Sequence, residues 1–179
     1  MTATKNLTLC ALFAALITIG TYIKIPTPLL PLTLQTMFVV LSGLVLGRKY
    51  GAVSVCVYVL AGVIGLPVFT GSVMNPTFGY ILGFVPGAWI AGYVAEKCRP
   101  NFWTWVFGGL AGMAVIYAVG IPYYYLMSRY YLGNELGART LLVYFVVMPM
   151  PGDVLKSLCA GLIVRRLAEY FPDSFTWRR

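Results

Sequence analysis

Residues 50–95 contain no Asp, Glu, Lys, Arg or His. That stretch is about twice the roughly 20 residues needed to cross a bilayer once, and it carries its own break. Leu66-Pro67-Val68-Phe69-Thr70-Gly71-Ser72, followed by Asn75-Pro76-Thr77, divides it with turn-forming residues. Two apolar helices joined by a polar turn satisfy this pattern, and the rest of the chain repeats it. Hydrophobic residues make up 60% of the chain and charged residues 10%, with a mean hydropathy of +0.83. A typical soluble domain carries about 25% charged residues. The expectation is one compact transmembrane bundle over residues 1–179, with no second domain. Met1-Thr2-Ala3-Thr4-Lys5 precedes an apolar run with no A-x-A cleavage site, which reads as a retained first helix.

Charges mark the ends of the apolar runs. The sequence predicts helices over Leu7–Tyr22, about Leu32–Leu46, Gly51–Leu66, Phe78–Ala95, Trp103–Met127 and a last one starting near Pro151. Pro149 and Pro151 forbid one continuous helix from Leu141 to Val164, because each lacks an N–H and clashes with the preceding turn. Proline is tolerated in a first turn. Residues 141–150 are therefore expected to form a short helix or loop at membrane depth. Six crossings put both termini on one side. Lys5, Arg48, Lys49, Lys97, Arg99, Arg165, Arg166, Arg178 and Arg179 gather there, against Lys24, Arg129 and Arg139 on the other. The basic side is expected to be cytoplasmic. The net charge of +8 thus follows membrane topology and gives no reason to expect nucleic acid.

Chemistry concentrates in Val143-Tyr144-Phe145-Val146-Val147-Met148-Pro149-Met150-Pro151-Gly152-Asp153-Val154-Leu155-Lys156. Asp153 falls in a first turn, where the helix dipole favours a negative charge. Lys156 lies three residues on, on the same face. Either charge alone costs about 2.5–3.5 kcal/mol at a helix centre. The pair neutralises itself or lines a polar pocket. Gln35, Asn75 and Tyr80 stand beside tight turns near the same face, with Phe69 among the surrounding aromatics. Turn formation and interhelical hydrogen bonding are the plainer roles for Asn75 and Gln35, and an interfacial aromatic belt for Tyr123–Tyr125. Small residues four apart recur at Ala11/Ala15, Gly43/Gly47, Gly83/Gly87 and Gly108/Gly112, a spacing that lets helices approach closely. The chain has no His and no C-x-x-C pair, so neither a His-based metal site nor a disulfide framework is expected. Gly152-Asp153-Val154-Leu155-Lys156-Ser157 lacks the Gly before Lys of a phosphate-binding loop. An intramembrane enzyme is disfavoured for want of further carboxylates, a metal site or a His.

The segments "LPLTLQTMFVVLSGLVLG", "GAVSVCVYVLAGVIGLPVF", "PTFGYILGF" and "MPGDVLKS", in this order, resemble the BioY family. These are the biotin-specific S components of energy-coupling factor (ECF) transporters. The resemblance covers roughly Leu9 to Gly161. It implies a six-helix, S-component fold with both termini inside, in a prokaryotic plasma membrane. It also implies capture of biotin with no resident cofactor and no enzymatic activity of its own. The implied partners are a transmembrane coupling (T) component and two cytosolic ATPases, with Ala11 and Ala15 facing the coupling protein. The substrate-binding set is Asp153, Lys156, Asn75, Tyr80, Gln35 and Phe69. Asp153 is expected to accept a ureido N–H of biotin, and Asn75 to donate to the ureido oxygen or bind the carboxylate tail. Lys156 meets either of those two groups, and Tyr80 and Phe69 form walls. An S component for riboflavin or thiamine would share the fold.

Overall fold

An α-helix satisfies its own backbone hydrogen bonds, so it is the default structure for apolar runs in lipid. The computed structural model describes residues 3–25, 32–69, 75–131, 133, 137–171 and 175. Pro26, Pro28 and Pro31, Thr70, Gly71 and Ser72, Asn134 and Glu135, and Arg178 and Arg179 lie outside them. In chain order the elements are α1 (Ala3–Tyr22), β1 (Lys24–Ile25), β2 (Leu32–Thr33), α2 (Gln35–Val63), α3 (Phe78–Lys97) and α4 (Phe102–Tyr130). Then follow α5 (Ala138–Leu142), one stretch of π-helix (Val143–Val147) and α6 (Met150–Tyr170). Among the described residues, five helical segments are long and apolar enough to cross a membrane.

The two short strands depart from a purely helical reading. Lys24 pairs with Thr33 and Ile25 with Leu32, antiparallel. They tie the chain together just after α1 and deliver it into α2. Two-residue strands carry no periodicity that a sequence could reveal.

The second apolar run and the third are fused in α2, but its path is broken at Gly47, where φ is 72° and ψ 178°. Only glycine adopts that backbone at little cost. The break reverses the chain. Residues eight apart in an unbroken helix stand about 12 Å apart, yet a Cβ added to Gly51 would lie 2.6 Å from the Cα of Gly43. The first arm, residues 35–46, is the centre of the bundle, and every residue from Val39 to Gly47 is buried. The turn is tighter than the expected loop around Arg48 and Lys49, because Glu96 at the end of α3 clamps it. Its Oε1 accepts the Arg48 backbone N–H at 2.8 Å, and its Oε2 pairs with Arg48 Nε at 3.0 Å. A carboxylate at the start of the second arm also meets the positive end of that helix dipole.

The final region follows the expectation set by its prolines. Pro149 precedes α6, Pro151 sits in its first turn, and α5 with the π-helical stretch occupies the residues before. The π-helix places Phe145 fully inside the protein. Of the paired small residues, Gly43, Gly83, Gly87, Gly108 and Gly112 are buried between helices, whereas Ala11 and Ala15 are exposed on α1. The opposite face of α1 buries Cys10, Phe13, Ala14 and Ile17.

The packing at the reversal predicts a graded response to added methyl groups. A Cβ at Gly43 would come within 2.2 Å of the Ala88 carbonyl oxygen, whereas one at Gly152 would meet nothing within 4 Å. Gly43→Ala and Gly47→Ala are expected to destabilise the protein by about 1–3 kcal/mol through overpacking and backbone strain. Gly152→Ala should be neutral or stabilising by up to about 1 kcal/mol. Thermal unfolding in detergent checks the ranking.

Candidate functional site

The starts of α2, α3 and α6 converge on one end of the bundle, and the middle of α4 runs beside them. Asp153 enters from the first turn of α6 and is 4% exposed. Lys156, one turn on, places Nζ 2.9 Å from Asp153 Oδ1. The same Nζ donates to Thr36 Oγ1 at 3.1 Å, so the start of α2 is bound to α6. The Tyr117 hydroxyl of α4 donates to Asp153 Oδ2. Each carboxylate oxygen therefore has one protein donor. Capacity remains on both charges. An ionised carboxylate offers about four acceptor positions and an ammonium three donors, and the bonds described use two of each. Below this level Ser157 packs on Gly109, and its hydroxyl reaches Met113 Sδ at 3.6 Å.

An aromatic group flanks the charged pair. The Tyr117 ring meets Tyr80 edge-on with centroids 5.8 Å apart. Tyr80 stacks on Phe145 at 6.3 Å and 15°, and Phe145 contacts Tyr124 at 4.4 Å. Gly120 makes room: a Cβ there would lie 2.6 Å from the Tyr80 ring. Tyr124, expected in an interfacial belt, is buried in this group. The Tyr80 hydroxyl is buried without a hydrogen-bond partner. The arrangement is an apolar wall beside a paired carboxylate and ammonium, able to hold a small molecule with a polar head and an apolar body.

The other predicted site residues are placed differently. Gln35 Nε2 donates to the Tyr58 hydroxyl at 2.6 Å, which also lies 3.2 Å from Thr21 Oγ1 and 3.3 Å from the Val68 carbonyl oxygen. Phe69 packs edge-on against Tyr58 at 5.3 Å and against Phe78 at 6.0 Å. Gln35 and Phe69 thus meet in a second polar-aromatic cluster centred on Tyr58, the plainer interhelical role. Gln35 and Thr36 are neighbours on α2, about 100° apart around the helix, and they point to the two clusters separately. Asn75 is exposed. Its Oδ1 accepts from the Thr77 N–H at 3.1 Å and the Thr77 hydroxyl at 3.0 Å. That is a turn leading into α3, and it leaves the NH2 as the group Asn75 can offer a ligand.

Two members of the site are not among the expected binding residues: Tyr117 belongs to no motif, and Thr36 closes the Thr33-Leu34-Gln35-Thr36 segment that carries part of the resemblance without itself being charged or out of place. Each is an ordinary residue in an apolar run. The one available signal is on α4, where Tyr117, Gly120 and Tyr124 fall on a single helical face by their spacing, near the middle of a membrane-length segment instead of at its ends.

The comparisons with known proteins agree along the whole chain. The family model described as "BioY family" matches residues 1–173. A biotin transporter BioY of Thermotoga maritima is 38% identical over 92% of this chain and 96% of its own length. A probable biotin transporter BioY of Lysinibacillus sphaericus is 35% identical over 96% of this chain and 91% of its own. The crystal structure of an S-component for biotin from an ECF-type ABC transporter superposes with a TM-score of 0.83 at 29% identity, over 98% of this chain and 99% of that one. The chain belongs to the BioY family.

Proposed function

We propose that this chain is the biotin-capturing S component of an ECF-type vitamin importer. One observation carries the reading: in a BioY-family chain, a buried Asp153 paired with the half-buried Lys156, with spare hydrogen-bonding capacity on both, stands against a wall of aromatic rings. Biotin matches that chemistry. Its ureido ring has two N–H donors and a carbonyl acceptor, its thiophane ring and chain are apolar, and its tail is a carboxylate. Asp153 accepts a ureido N–H on a carboxylate that Tyr117 and Lys156 hold in place, one at each oxygen. Lys156 uses its remaining donor on the ureido oxygen or the tail. Tyr80 and Tyr117 supply the wall. Asn75, at the mouth, donates its NH2 to the same ligand. Gln35 and Phe69 act through Tyr58, by holding the starts of α2 and α3 at the spacing the ligand needs.

The remaining reading concerns topology and partners. The arms of α2, residues 35–46 and 48–63, count as separate crossings. The first arm is about 18 Å long at 1.5 Å per residue, and the extended pair Leu32–Thr33 adds about 7 Å at roughly 3.3 Å each. Together they approach the roughly 30 Å hydrocarbon core. Six crossings follow, with both termini and the basic ends of the helices in the cytoplasm. The site then opens outward from a plasma membrane. The exposed Ala11 and Ala15 give a flat strip on α1 for a transmembrane coupling component. ATP hydrolysis belongs to two cytosolic partner subunits, and this chain has no catalytic role.

Isothermal titration of the purified, ligand-free protein with a vitamin panel is the first check. Tight biotin binding without ATP or partner proteins is expected, and tight binding of riboflavin or thiamine with none of biotin would overturn the assignment. A second check separates capture from coupling. Ala11→Trp and Ala15→Trp are expected to abolish biotin uptake in cells while leaving the affinity of the purified protein within about twofold, since a bulky side chain blocks close helix approach. Loss of binding together with uptake would place the strip inside the folded bundle's own energetics.

A further inference from the structure

Three buried side-chain polar atoms among the described residues have no hydrogen-bond partner: Asn6 Oδ1, Trp105 Nε1 and the Tyr80 hydroxyl. Asn6 and Trp105 lie in the first turns of α1 and α4. Tyr80 lies in the first turn of α3, where its ring meets Tyr117, and Tyr117 bonds Asp153. The residue that carries the unpartnered hydroxyl thus packs directly on the ring that holds the charged pair. Tyr80 is 6% exposed, so water does not satisfy it at the surface. Phenylalanine would make the same contacts with Phe145, Tyr117 and Gly120. A buried unsatisfied hydroxyl costs folding free energy that an isosteric apolar group does not. The packing therefore gives no reason for the oxygen.

We infer that the Tyr80 hydroxyl is a ligand-binding group: it donates a hydrogen bond to the carbonyl oxygen of the ligand's cyclic urea while Asp153 accepts from the urea N–H. The inference rests on the biotin reading above and deepens it, since Tyr80 changes from a wall residue to a residue that reads the head group. The donor and acceptor types fit. A carboxylate is acceptor-only and takes the N–H, which leaves the carbonyl to donors, and a phenol O–H is one.

The test is Tyr80→Phe, with biotin and with desthiobiotin, which keeps the cyclic urea but lacks the thiophane ring. Affinity is expected to fall about three- to tenfold for both ligands, the range of one neutral hydrogen bond. Thermal stability of the ligand-free variant is expected to equal or exceed that of the parent. Parental affinity in the variant would overturn the inference, and so would a loss confined to biotin, which would put the hydroxyl on the thiophane side. Lower ligand-free stability would reveal a protein partner for the hydroxyl and overturn it as well. Failure of the biotin reading itself shows separately, as absence of biotin binding by the parent.

Discussion

An ionised carboxylate removed from water needs compensation worth several kcal/mol, and Asp153 is almost fully enclosed. The compensation comes from three separate elements. Lys156 brings an opposite charge from one turn further along α6, Tyr117 brings a donor from α4, and Thr36 holds the ammonium from the start of α2. Meeting the needs of one side chain therefore fixes the relative positions of three helices. The prolines before Asp153 serve the same end. They start α6 at the depth where its dipole faces the carboxylate, and the π-helical stretch ahead of them turns Phe145 into the aromatic group.

Those hydrogen bonds are possible because the backbones come close. The central arm of α2 carries glycines where its neighbours cross: Gly43 lies under Ala88, and Gly92 of α3 lies against the backbone of Gly47 and Arg48. Lipid supplies no hydrophobic drive between helices, so such contact is held by packing and hydrogen bonds. Glu96 adds a clamp at the reversal. The charged pair and the clamped turn thus sit at opposite ends of the same buried arm. The first is the end proposed to receive the ligand, and the second secures the scaffold.

Much of the architecture was legible because charges and prolines are expensive in lipid. They marked the ends of α3 and α4 to within three residues, and the two prolines located the start of α6 to within one. The reversal at Gly47 was less legible. Arg48 and Lys49 say that the chain reaches an interface, but the tightness of the turn depends on Glu96, 48 residues away. Asp153 and Lys156 stood out for the same reason as the helix ends. Tyr117 and Thr36 did not, since neither is anomalous alone. Gln35 was recognised as out of place, yet its partner Tyr58 could not be read from an apolar run. Ala11/Ala15 and Gly43/Gly47 have the same spacing, and only the folded chain separates an exposed strip from a buried crossing.

The account's central claim is that the Asp153–Lys156 pair serves the ligand and not merely itself. The most direct measurement is the double-mutant cycle of Asp153→Asn and Lys156→Met, with biotin affinity and thermal stability recorded for all four proteins. Asp153→Asn alone is expected to cost about ten- to hundredfold in affinity, since hydrogen bonds to charged groups contribute about 1.5–3 kcal/mol. It should also lose stability through the unpaired lysine. The double variant removes both charges together, so it should regain stability and still bind biotin poorly. Near-parental biotin affinity in the double variant would contradict the account, because the two charges would then be present only to neutralise each other.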